Sequence, residues 1–230
     1  MIKANFCHSS DVNLSYNEDW KSEAYEWRRT AAERYNLDWV TQNGLEHSTT
    51  EERELSESSE IRKGLYGNFQ LVWLKNIDRL MDMLPDKVSI REYSLIDVGC
   101  GSGISTIYFR RYYDFKDVSG FDFRKNLVDA SQLNLVNFNR KRNLNYKIGF
   151  FRADALKVKL TLDRPCIIFM FNPFNYEVAS KFISNNFIFS EVQEHIIALS
   201  NDIWLPSLID EFPKVRIVRN PEHNLSLCKL

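Results

Sequence analysis

The feature that most constrains this chain is a run of three glycines within five residues. Gly99, Gly101 and Gly103 stand in LIDVGCGSGIST, in a 230-residue sequence with only eight glycines, about half the usual share. They directly follow SLIDV (94–98), a short apolar strand. A tight turn there uses backbone conformations that only glycine adopts cheaply, and it lets a ligand approach the main chain. One glycine would serve strand-to-helix packing alone. Three of them, after Asp97 on a strand, point to a ligand-binding turn.

Around that turn, strand and helix patterns alternate. A helix is expected from about Gly103 to Tyr113, a strand over 117–121, a long helix to about Asn139 and a strand over 146–151. The unbroken apolar run CIIFMF (166–171) reads as a strand buried on both faces. A helix near 176–184 and a strand over 195–199 follow. The final KVRIVRNPEHNLSLCKL reads as an antiparallel hairpin around Asn-Pro. Such alternation predicts a doubly wound α/β sheet, mostly parallel, with right-handed crossovers and helices on both faces. Ligands of such sheets lie beyond the carboxyl ends of the strands, at the topological switch point.

Composition narrows the function classes. With 44% hydrophobic and 27% charged residues, the chain is globular, and its length buries enough surface to need neither disulfide nor metal. Thirty basic against 31 acidic residues give a net charge of −1, so no overall field draws it to polyanions. RKN (124–126) and RKR (140–142) are compact basic clusters, explained as solvated helix faces. Cys7, Cys100, Cys166 and Cys228 stand far apart with no ligand spacing, so no metal is expected. No apolar stretch suits a signal peptide or a membrane span, and a cytoplasmic setting is the default.

The dinucleotide fingerprint G-x-G-x-x-G would demand glycine at 104, where Ile104 stands. That disfavours a nicotinamide-dependent oxidoreductase. The spacing here is D-x-G-x-G-x-G, which resembles motif I of the class I S-adenosylmethionine-dependent methyltransferases. VSGFDF places Asp122 at the end of the second strand, where that family holds the ribose hydroxyls; a carboxylate can accept two hydrogen bonds from a vicinal diol. FFRADAL places Asp154 after the third strand, where the family reads the adenine amino group. Asp97 matches the acidic residue serving the methionine end. The resemblance covers 66–230 as a methyltransferase core, with 1–65 a helical extension. It implies S-adenosylmethionine as cofactor and S-adenosylhomocysteine as product. Asp97, Gly99, Cys100, Gly101, Gly103, Asp122, Phe123, Asp154, Ala155 and Asn172 are the implied cofactor contacts.

FNPFNYE, ending the fourth strand, is similar to the Asn/Asp-Pro-Pro-aromatic motif of amino-methyltransferases, with Phe174 where the second proline belongs. Asn172 is therefore expected at the transfer site, with Pro173, Phe174 and Tyr176 at the acceptor. Transfer from a sulfonium is mostly alignment; a hydroxyl acceptor also needs a base, for which Glu177, His195 and Asp202 are candidates. Trp20, Ala24, Trp27, Ala31 and Tyr35 recur at helical spacing, capped by Ser15 or Asn17. This stripe is expected to pack on the sheet, with a pocket lid as the competing reading. Phe69, Trp73, Ile77, Leu80 and Leu84 mark a second helix, closed by Pro85; HSTTEERELSESSE (47–60) reads as a solvated connection. Tyr66 is expected to reach the methyl pocket. The expected acceptor is a small molecule or glycan methylated on oxygen or nitrogen. A protein or nucleic-acid amine, or cofactor binding without catalysis, are the alternatives.

Overall fold

A computed structural model describes residues 5–19, 22–46, 70–188, 190–192 and 194–230. Tyr66, Trp20, Phe69, the 47–60 connection and the expected boundary at 65/66 lie outside the described residues. Among the described residues, the elements are β1 (Cys7–His8), α1 (Glu23–Asn43), α2 (Leu74–Asp82), β2 (Ser94–Val98), α3 (Ile104–Tyr112), β3 (Asp117–Asp122) and α4 (Lys125–Arg142). They continue as β4 (Gly149–Arg152), β5 (Cys166–Phe171), α5 (Tyr176–Asn186), β6 (Ile196–Ser200), α6 (Leu205–Glu211), β7 (Arg216–Asn220) and β8 (Leu225–Lys229).

One sheet runs in the order β1-β7-β8-β6-β5-β2-β3-β4. Strands β4, β3, β2, β5 and β6 are parallel neighbours, and β8 enters antiparallel between β6 and β7. The period-2 alternation of strand side chains divides the apolar residues between two faces. Leu95, Ile167, Phe169, Ile196 and Ala198 join one cluster with Trp39, Leu74, Ile77, Ile107 and Phe138. Ile96, Val98, Ile168, Met170, Ile197 and Leu199 join the other with Phe182, Ile183 and Leu208. Helices α1 to α4 thus cover one face, and α5 and α6 the other. Strand β2 lies between β3 and β5, so the glycine turn leaves the sheet where the chain's course reverses.

Three local features differ from the sequence reading. Cys7–His8 pairs antiparallel with Ile217 and Arg216, which adds an edge strand; two residues are too short to show periodicity. Leu205–Glu211 is helical, with Pro206 in its first turn, a position proline favours. Helix α1 is capped by Ser22, which accepts from the Tyr25 N–H at 3.0 Å, and not by Ser15 or Asn17. Its inward face is Asn36, Trp39, Val40 and Asn43, and Trp27 is 79% exposed. The face is turned by about one residue from the Trp/Ala stripe because two asparagines do the docking. Asn36 donates to Val72 O at 2.9 Å and accepts from Leu74 N at 3.0 Å; Asn43 donates to Trp39 O and accepts from the Arg142 guanidinium.

Candidate active site

The turn after β2 uses the left-handed region at each of its glycines: φ is 72° at Gly99, 55° at Gly101 and 76° at Gly103. A side chain there would cost about 1–2 kcal/mol per residue. Gly99 N and Cys100 N both donate to Phe121 O, at 2.9 and 3.0 Å, so the turn is pinned to the end of β3. The Cys100 side chain is buried over Gly120. Burial pushes its thiol well above the ordinary range, and it serves packing. Asn134 on α4 donates to Ser102 O and exchanges two hydrogen bonds with the main chain of Glu46, joining the turn to the N-terminal segment.

Asp122 and Asp97 are both buried. Asp122 Oδ2 accepts the Gly101 N–H at 3.3 Å, so the residue expected on the ribose stands beside the turn. Its carboxylate is also paired with Arg124, a contact the sequence showed only as part of a basic cluster. Asp97 accepts from the hydroxyls of Ser105 and Thr106, at 2.7 and 2.6 Å. Burial lifts its pKa to about 6 against the pull of those two bonds. Asp154 accepts the Leu156 N–H at 3.0 Å across a turn, and Ala155 is buried. Phe123 O accepts from Arg152 Nε at 2.9 Å.

A small cavity of about 20 Å³ lies over the turn, walled by Asp97, Gly99, Ser102 and Ser105 and roofed by Gln70, Leu71 and Val72. Beyond Gln70, Leu71 and Phe171, which it shares, opens a cleft of about 730 Å³ at the carboxyl ends of β5 and β6. Asn172, Ser200 and Asn201 form its floor, and Tyr16, Tyr25 and Trp73 are among its walls. Asn172 and Asn201 both sit at positive φ, 45° and 66°. Tyr16 OH donates to Asn201 Oδ1, and Asn201 Nδ2 donates to Asn172 Oδ1 at 2.9 Å. Ser200 Oγ is buried with no partner. His223 lines the same cleft, and burial lowers its pKa. Tyr16, Ser200, Asn201 and His223 were not found from sequence because they come from three separate places, the N-terminal segment, the end of β6 and the β7–β8 turn.

The rest of FNPFNYE turns away from this cleft. Pro173 packs on Gly99. Phe174 is buried and stacks on Trp204, with centroids 5.9 Å apart and planes 3° apart. Asn175 caps α5 by accepting from Val178 N. Tyr176 OH donates to Ser207 O and Glu211, and Glu177 pairs with Lys181 on the exposed face of α5. Phe174, Tyr176 and Glu177, expected at the acceptor or in catalysis, do not line this cleft: Phe174 and Tyr176 tie α5 to its surroundings, and Glu177 pairs within α5. Asp202 is committed to a buried ion pair with Arg219. His195 is buried at the start of β6, accepting from Cys166 N at 3.1 Å, at the opposite end of the sheet from the turn. Among the described residues no group of histidines, cysteines and carboxylates could hold a metal ion, and no helix is long and apolar enough to cross a membrane.

No protein-family model and no curated protein matches the sequence. Similar solved structures include TrmK of M. capricolum in complex with S-adenosyl-homocysteine, at 12% identity over 70% of this chain and 68% of that one, TM-score 0.44. The ribosomal protein L11 methylase of Lactobacillus delbrueckii subsp. bulgaricus shows 18% identity over 70% and 78%, TM-score 0.45. The methyltransferase domain of bacterial CtHen1 shows 14% over 68% and 97%, TM-score 0.45. Identities and scores this low add nothing to what the chain's own topology says. A five-strand parallel sheet, an antiparallel β8 inserted beside β6 and a left-handed glycine turn against a buried aspartate are the arrangement that the sequence resemblance to the class I S-adenosylmethionine-dependent methyltransferases implies.

Proposed function

We propose that the protein is a methyltransferase that moves a methyl group from S-adenosylmethionine to an oxygen or nitrogen of a small-molecule or carbohydrate-like acceptor held in the cleft over Asn172. The observation that carries this reading is the 3.3 Å bond from the Gly101 N–H to the Asp122 carboxylate. It ties a turn held open by three left-handed glycines to the acidic group suited to a ribose diol. Asp97, Gly99, Gly101, Gly103, Asp122, Phe123 and Asp154 border the cofactor in this reading. The donor set fits a nucleoside. The space does so only once Gln70–Val72 and the Arg124 side chain give way, since about 20 Å³ holds little more than one water.

Bound there, the cofactor supplies a methyl group on a cationic sulfur; the chain's task is alignment and exclusion of water. Asn172 lies on the cleft floor next to Phe171, which lines both cavities, and its side-chain oxygen is oriented by Asn201, itself held by Tyr16. The cleft volume falls in the range of small-molecule sites. Its floor of amides and a free hydroxyl suits a neutral acceptor rich in hydroxyl or amino groups. For a hydroxyl acceptor, Glu33 and His223 line the cleft and are side chains able to take a proton, with burial lowering the His223 pKa. Tyr16 and Tyr25 on its walls support the N-terminal extension as part of the acceptor pocket.

The amino-methyltransferase reading keeps one supporting observation, the presence of Asn172 on the cleft floor. Against it, the Asn172 oxygen already accepts from Asn201, so an amine would share it. Transfer of labelled methyl from S-adenosylmethionine into a fractionated extract tests both. Label among small molecules and glycans supports the first reading, label in protein or nucleic acid the second, and no label with the cofactor bound contradicts both.

A further inference from the structure

We propose that Arg124 is an internal competitor for the cofactor's ribose, setting the affinity of the site by holding the Asp122 carboxylate closed until the nucleoside displaces it. The inference rests on the cofactor reading above and goes further by naming the group that must move.

A carboxylate offers about four lone-pair positions, and at Asp122 all four are taken. Oδ1 accepts the Arg124 main-chain N–H at 2.9 Å and Nε at 3.1 Å. Oδ2 accepts the Gly101 N–H at 3.3 Å and Arg124 Nη2 at 3.4 Å. A diol that donates two hydrogen bonds finds no free acceptor. The two main-chain donors are fixed by the glycine turn and by the start of α4. The two guanidinium donors sit on a side chain that can rotate, so they are the ones to leave.

Two further observations set Arg124 apart from an ordinary structural ion pair. Its Nη1 is buried with no partner, so the closed pose leaves a charged donor unsatisfied, an arrangement that carries a penalty. It also occupies the N-cap position of α4 without capping it. Serine, threonine, aspartate or asparagine is favoured there, and a cation opposes the helix dipole. The arginine side chain therefore adds no capping bond to the helix it begins. What it does is neutralise a buried carboxylate, with side-chain exposures of 13% and 2% for the pair. By the same contact it takes the acceptor positions that a ribose diol would need.

The test is calorimetric titration of the full chain with S-adenosylhomocysteine, whose uncharged sulfur removes any repulsion between a sulfonium and the guanidinium. Arg124→Ala is expected to bind about tenfold more tightly than wild type and to unfold at a lower temperature without ligand. Arg124→Met, which keeps the apolar stem, is expected to show the same gain and serves if the alanine variant does not fold. Asp122→Asn is expected to lose affinity at least tenfold. Equal or weaker binding by a folded Arg124 variant would overturn the proposal, weaker binding making Arg124 a ligand of the cofactor and not its rival. Failure of wild type and of every variant to bind would instead remove the cofactor reading, and the competitor with it.

Discussion

A Cβ built on Gly99 would lie 2.5 Å from the Cβ of Pro173, so the first glycine of the turn and the proline after β5 are packed against each other with no room for a methyl group. Gly99 also sits at φ 72°, and both constraints act in Gly99→Ala. The left-handed conformation alone costs about 1–2 kcal/mol, and the overlap with a rigid ring adds to it. Denaturant unfolding should show a loss of at least about 2 kcal/mol. An unchanged midpoint would mean that the turn is not built as described.

Asp202 and Arg219 form a two-pronged pair, at 2.7 and 3.1 Å, with side-chain exposures of 0% and 2%. Arg219 also donates to the carbonyls of Asn13 and Ser15, strapping the N-terminal segment to β7. Removing one partner leaves a buried charge uncompensated, so Arg219→Met should destabilise by about 3–5 kcal/mol. The double variant Arg219→Met with Asp202→Leu should recover much of that loss in the same unfolding assay. No recovery would show that the strap to residues 13–15, and not the stranded charge, dominates.

The register of α1 is open to a paired substitution. Trp39 is buried, packs edge-on to Tyr108 at 5.1 Å and donates to Tyr112 OH at 3.1 Å. Trp39→Ala should cost about 3–5 kcal/mol, while Trp27→Ser on the exposed side should stay within about 0.5 kcal/mol. Tm measurements on the two variants would reverse in order if the Trp/Ala stripe faced inward.

Two buried groups give stability opposite slopes with pH. His195 Nδ1 accepts from Cys166 N and burial lowers its pKa, so the native state binds fewer protons than the unfolded chain. Its contribution is whole above the unfolded value near 6.5 and is lost as pH falls below it. Asp97 is raised to about 6 by burial, so the native state holds the extra proton, and stability falls as pH rises from about 4 to 6. That window is worth about 3 kcal/mol at most. Unfolding curves between pH 4 and 8 should therefore show a shallower acid limb for His195→Asn. For Asp97→Asn the decline between pH 4 and 6 should disappear, and parallel curves for variants and wild type would contradict both assignments.

The central strands and the turn were legible because their signals are local: apolar runs of strand length and glycines where φ must be positive. The face of α1 was not, because Asn36 and Asn43 dock it through hydrogen bonds that hydrophobic spacing cannot register. FNPFNYE misled for a different reason. Its composition suits an acceptor site, but Phe174 is claimed by Trp204, some thirty residues on, and Asn175 by the first turn of α5. Phe171 and Asn172 stay at the cleft, and the positive φ of Asn172 turns the chain away immediately after it. The cleft joins a floor from two strand ends to walls from the N-terminal segment, a juxtaposition that only the strand order reveals.

That strand order also dictates a schedule. Cys7 pairs with Ile217 and donates its thiol to the same residue's carbonyl, across 210 positions, while β8 must slide between β6 and β7. During synthesis on a ribosome the first strand has no partner until residues 216–229 have emerged. Its apolar neighbour Phe6, buried once folded, waits exposed for that whole interval. Contacts of such long range slow folding, so the nascent chain passes through a stage in which the half carrying the glycine turn can form while the far edge of the sheet is still missing. Late closure of this edge, more than fragility of the finished fold, is the vulnerability this topology builds in.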